Sequence, residues 1–86
     1  MSMPHLHASH PAIVARLKRA EGHLRAVIDM IEIGRPCADI AQQLQAVEKA
    51  VGNAKRTLIH DHIDHCLDTD SSAADRAELK QITRYL

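Results

Sequence analysis

Residues 37–67 read CADIAQQLQAVEKAVGNAKRTLIHDHIDHCL, and this stretch decides the fold. Its apolar positions Cys37, Ile40, Leu44, Val47, Val51, Ala54 and Leu58 follow one another in steps of three and four. That is the heptad spacing of a helix packing along a seam. No proline interrupts it. Gly52 and Asn53 alone weaken it, each by a fraction of a kcal/mol to about 1 kcal/mol relative to alanine. The stretch predicts one helix of about 30 residues.

The pattern repeats upstream. Ile13, Leu17, Ala20, Leu24, Val27 and Ile31 form a second seam, opened by Ser9 or His10 with Pro11 in the first turn and closed by Gly34 and Pro36. Downstream, residues 68–71 read as a loop. Ser72 is an N-cap with Asp75 three residues on, and Leu79, Ile82 and Leu86 give a short apolar face. The expected organisation is a His-rich arm over residues 1–9 and one domain over 10–86, with helices at about 10–33, 37–67 and 72–86. With one Tyr and no Phe or Trp, the core falls to Leu, Ile, Val and Ala, which suits an all-α bundle. A chain of 86 residues buries little surface alone, so an oligomer is expected.

The first residues lack the apolar core of a secretion signal, and no stretch approaches the roughly 20 apolar residues that span a bilayer. The expectation is a cytoplasmic protein without membrane contact, in which two cysteines serve as thiolates for metal or redox chemistry rather than as a structural disulfide. The formal net charge is zero but unevenly spread, with a basic first helix and an acidic stretch from Asp61 to Glu78. No Ser-His-Asp set, phosphate loop or pair of catalytic acids is evident, and an enzyme is not expected.

From Leu58, steps of four reach His62 and then Cys66, which therefore project from neighbouring turns about 6 Å apart. Cys37 lies 29 residues before Cys66, roughly 43 Å away in a continuous helix. One chain cannot bring them together. Two copies of the helix paired antiparallel would set Cys37 of one beside His62 and Cys66 of the other, making two identical sites per dimer. Two thiolates and an imidazole suit Cu(I), Ni(II), Co(II) or Zn(II) and not Mg(II) or Ca(II). Three ligands favour Cu(I), and a fourth nitrogen favours Ni(II) or Zn(II). A free cysteine is equally a small hydrophobe, and seven histidines include some, among His23, His60 and His65, that sit near one by chance. Spacing alone leaves both readings open.

The run from Arg16 to Arg25 (RLKRAEGHLR), then Cys37, Gln42-Gln43 and Ala46-Val47, and finally His62 with Cys66, resembles the CsoR/RcnR family of small repressors over nearly the whole chain. The resemblance implies three-helix protomers forming an antiparallel four-helix dimer and then a tetramer. It implies operator DNA held in the apo form and released on metal binding at an intersubunit Cys/His site. Cys37, His62 and Cys66 match the ligands of the copper sensors. His5 stands where the nickel and cobalt sensors carry an added nitrogen ligand, and Cys66 argues against a formaldehyde sensor. Copper sensors also have a Tyr and a Glu beside the ligands; here Pro36 precedes Cys37 and Ile82 occupies the expected Glu position. For DNA the resemblance points to the basic faces of the first two helices, with Arg16, Arg19, Lys49 and Arg56 as candidates and Lys18, Arg25 and Lys55 behind them. Glu48 stands where relatives often have a basic residue. The competing readings are a thiol sensor that bridges Cys37 and Cys66 of neighbouring chains, and a metal buffer that binds no DNA.

Overall fold

The computed structural model describes residues 9–68 and 72–86. The expected arm before Ser9, with His5 in it, lies outside the described residues, as do residues 69–71 of the expected loop.

The first helix, α1, spans His10–Glu32. Pro11 lies in its opening turn, where a missing N–H costs nothing, and Ser9 occupies the N-cap without a side-chain cap. Its end is set by Gly34 at φ +79°, the left-handed conformation that glycine adopts without strain. Arg35 N–H donates to the Met30 carbonyl at 2.9 Å and Gly34 N–H to that of Ile31 at 3.2 Å, closing the helix as a Schellman motif. The chain turns at once into α2, Cys37–Asp68, an unbroken helix of 32 residues. Its length of about 48 Å accounts for most of the 54 Å long axis of the molecule.

The third helix, α3, spans Ala73–Ile82 and begins with Ser72 at the expected N-cap, where Ser72 and Asp75 form a capping box. Asp75 N–H donates to the Ser72 hydroxyl at 3.1 Å, and Ser72 N–H donates to the Asp75 carboxylate at 3.2 Å. The expectation of one helix to Leu86 needs correction, because α3 ends at Ile82 and Thr83–Tyr85 form a 3₁₀ turn. The Thr83 hydroxyl donates to the Lys80 carbonyl at 2.6 Å, a local side-chain bond that competes with helix continuation.

Along α1 and α2 the two seams lie together, and each divides in two. Ile13, Ala20 and Val27 on α1, with Val47 and Ala54 on α2, are 1–7% exposed and form the core with Ile59. The alternate positions Leu17, Leu24 and Ile31, with Leu44, Val51 and Leu58, remain 41–56% exposed. Every member of each row is seven residues from the next within its helix. One row therefore packs the hairpin, and the other gives it a bare apolar face. Among the described residues, no helix is long and apolar enough to cross a membrane.

Candidate functional site

The unbroken α2 carries the three candidate ligands at its two ends. Cys37 is the first helical residue and is exposed, and the bare row continues from it through Leu44, Val51 and Leu58. His62 and Cys66 lie near the opposite end, on successive turns. Because 100° per residue carries each step of four some 40° around the axis, the line from Leu58 through His62 to Cys66 drifts off the bare row, away from Val47 and Ala54 and toward the side of Ile59 against which α3 returns. The burial follows that drift: His62 is only 6% exposed, and Cys66 is half-buried. Both cysteines are free thiols.

Within one chain these groups stay apart. Among the described residues, no three His, Cys, Asp or Glu side chains are placed to hold one ion. The long-helix geometry that puts Cys37 roughly 43 Å from Cys66 is the reason.

His62 opens onto a mainly apolar cavity of about 410 Å³ where α3 returns against α2. Leu58, Ile59, Ile82 and Tyr85 supply its apolar walls, while His10 and Glu78 bring polar groups from α1 and α3. Sequence reasoning looked for an acid at Ile82 and passed over Glu78. The signal was available, since Glu78 precedes Ile82 by four residues and so shares its face of α3.

The basic candidates separate into three neighbouring depressions. Arg16 on α1 and Arg56 on α2 line one groove of about 530 Å³ between the helices, together with Asn53 and His60. Asp61 and Asp64 line it as well, so its basic part is bounded toward the C-terminal end of α2. Arg16 also lines an adjoining hollow with Arg19, His23 and Asn53. Lys49 lies apart from these, in a depression with Glu48, Lys55 and Arg56. Arg56 is the residue common to both sides.

His23, which spacing alone could only set among the chance histidines, ties the two helices together. Its Nε2 donates to Oε1 of Gln43 at 2.6 Å in a part-buried bond across the hairpin. It fixes the rotation of α1 against α2 close to Arg19, which sequence periodicity does not report.

Comparisons with known proteins identify the family and the fold. A family model described as metal-sensitive transcriptional repressor matches residues 9–86. The copper-sensing transcriptional repressor CsoR of Bacillus subtilis (strain 168) is 44% identical over 55 residues, covering 64% of this chain and 54% of its own. The copper-sensing transcriptional repressor CsoR of Mycobacterium tuberculosis (strain ATCC 25618 / H37Rv) is 34% identical over 64 residues, covering 74% of this chain and 54% of its own. The chain spans about half the length of the curated relatives it matches. Among solved structures, the nickel-responsive transcriptional regulator InrS is similar over 98% of this chain and 100% of its own, with a TM-score of 0.77 and 32% identity.

Proposed function

The chain belongs to the metal-sensitive transcriptional repressors, and from that premise we propose that it holds operator DNA in its apo form and releases it when a transition metal binds between two subunits. The observation that carries this reading is the register of the bare row. Leu44 and Leu58 are equidistant from Val51 along α2. Two antiparallel helices crossing at Val51 set Leu44 of one opposite Leu58 of the other, and the same register sets Cys37 opposite residue 65, on the turns that carry His62 and Cys66. Covering the bare row is favourable by something on the order of 1 kcal/mol per half-exposed side chain. The contact that hides the apolar face thus also completes a Cys-His-Cys donor set.

Two thiolates and an imidazole fit Cu(I), and His5 as a fourth ligand fits Ni(II) or Co(II), with Zn(II) also accommodated by this set. Binding an ion there links Cys37 at the start of one α2 to His62 and Cys66 near the end of the other. His62 lies in the cavity that α3 walls, so a change at its ring is felt by α3. In this reading the assembly, a dimer of dimers in the cytoplasm, is biased toward a form whose basic faces no longer match DNA. Arg16, Arg19, Lys49 and Arg56 meet phosphates in the apo form, which makes operator affinity fall steeply with salt. By reciprocity, DNA weakens metal affinity by the same factor.

The test is a titration of reduced, full-length protein on a duplex from the promoter region of its own gene, followed by fluorescence anisotropy. Cu(I), Ni(II), Co(II) and Zn(II) are added in turn. One ion releasing the wild type but not Cys37→Ala supports the reading, whereas no response to any of the four contradicts it.

One observation favours a second reading. The register that places Cys37 opposite residue 65 also brings it next to Cys66 of the second copy, and both thiols are free. An oxidant accepting two electrons could join them as a disulfide with release of two protons. Retention of the response in His62→Ala would select this thiol sensor over the metal sensor.

A further inference from the structure

Gly52 and Asn53 stand in the middle of the longest helix, where neither residue type favours helix formation. The Arg56 guanidinium folds back over Gly52: a Cβ built on that glycine would lie 3.6 Å from Nη1, 3.7 Å from Nη2 and 3.9 Å from Cζ. Arg56 Nη2 also donates a hydrogen bond to the side-chain oxygen of Asn53. One turn later the Thr57 hydroxyl donates to the Asn53 carbonyl at 3.0 Å. Glycine leaves the space, asparagine supplies the acceptor, and arginine fills the seat they make.

Its position gives the seat a purpose. Arg56 is the side chain shared by the groove containing Arg16 and the depression containing Lys49 and Lys55. Asn53 faces the same groove and adjoins the hollow with Arg19. The seated guanidinium therefore bridges the basic row of α1 and that of α2. One of its nitrogens is engaged by Asn53, and the other N–H groups remain for a second acceptor in the fork geometry that matches a phosphate. Fixing a long side chain before its ligand arrives removes part of the ordering cost of binding.

We propose that Gly52 and Asn53 are positioning residues that hold the Arg56 guanidinium for a backbone phosphate of bound duplex DNA. This rests on the DNA-binding reading above and adds two residues to it. An alanine at position 52 makes only ordinary contact with the guanidinium, whereas a longer side chain takes its place.

The test uses the full-length apo protein and the same promoter duplex, with affinity measured by anisotropy at several salt concentrations and stability by thermal melting. Arg56→Ala is expected to bind about tenfold more weakly at low salt, with the salt slope reduced by about one. Gly52→Leu and Asn53→Ala are expected to lose about threefold to tenfold in affinity with thermal midpoints at or above the wild type, because both substitutions improve helix propensity. Gly52→Leu and Asn53→Ala binding like the wild type while Arg56→Ala is weakened would overturn the seat and leave the DNA interface standing. Arg56→Ala binding DNA normally, or altering only the sedimentation of the protein, would overturn the assignment of Arg56 to DNA. A wild-type protein that never binds the duplex would overturn the parent reading, and the seat with it.

Discussion

The two apolar rows of the hairpin are chemically alike and structurally opposite. Val47 and Ala54 are buried together with Ile13, Ala20 and Val27, whereas Leu44, Val51 and Leu58, three or four positions away along the same helix, stay half exposed, as do Leu17, Leu24 and Ile31. A chain that needed only to fold alone would place polar residues on the second row. Retaining large aliphatic side chains there, on a line that begins at Cys37, joins the need for a partner to the assembly of the candidate site.

Placing a charge in each row separates them most sharply. Ala54→Asp puts an uncompensated charge in the core and is expected to cost about 3–5 kcal/mol. Its thermal midpoint should fall by more than about 12 °C at every protein concentration. Val51→Asp is expected to act through assembly instead, sedimenting as a smaller species and melting at a temperature that depends on protein concentration. Equal, concentration-independent losses in the two variants would erase the distinction between the rows.

Cys37→Ala sharpens the comparison at the end of the bare row. Metal affinity, measured by competition with a chelator, should fall at least about a hundredfold. Because Cys37 is exposed within the chain, apo stability should change by no more than about 0.5 kcal/mol. A large loss of apo stability would make the residue structural.

The periodicity of both helices, the Gly34 turn and the Ser72–Asp75 capping box were all legible in the sequence, because each is a signal between residues close in the chain. Steps of three and four mark which positions are apolar but carry no record of which neighbour covers them. The division into packed and bare rows depends on the rotation of α1 against α2. The candidate ligands followed from the same local rule, since His62 and Cys66 are four residues apart. The place of Glu78 and Tyr85 around His62 did not, because it depends on how α3 returns along α2. Asn53 read as a weak helix position for a different reason: helix propensity scores the residue type and not what its side chain holds three residues on.

Smaller effects test the packed side. His23→Ala removes the interhelical bond to Gln43 and should cost about 1 kcal/mol, and Gln43→Ala about the same. In the double variant the losses should not add, with a coupling energy of at least about 0.5 kcal/mol from a double-mutant cycle. Ser72→Ala removes the cap of α3 and should cost about 0.5–1 kcal/mol. Hydrogen exchange should rise in α3 and not in α1, since among the described residues α3 packs on α2 and not on α1.

The claim that one site is built from two chains has a direct measurement. Cys37→Ala and His62→Ala, each lacking chelator-resistant metal binding alone, are unfolded together and refolded as an equal mixture, and the tightly bound metal is counted. A mixed dimer keeps one intact site, formed by Cys37 of the His62→Ala chain with His62 and Cys66 of the Cys37→Ala chain. Random pairing makes half the dimers mixed, so the account predicts recovery of about one quarter of the wild-type sites per chain. Recovery of none would contradict it, because a site whose ligands all come from one chain is not restored by mixing the two variants.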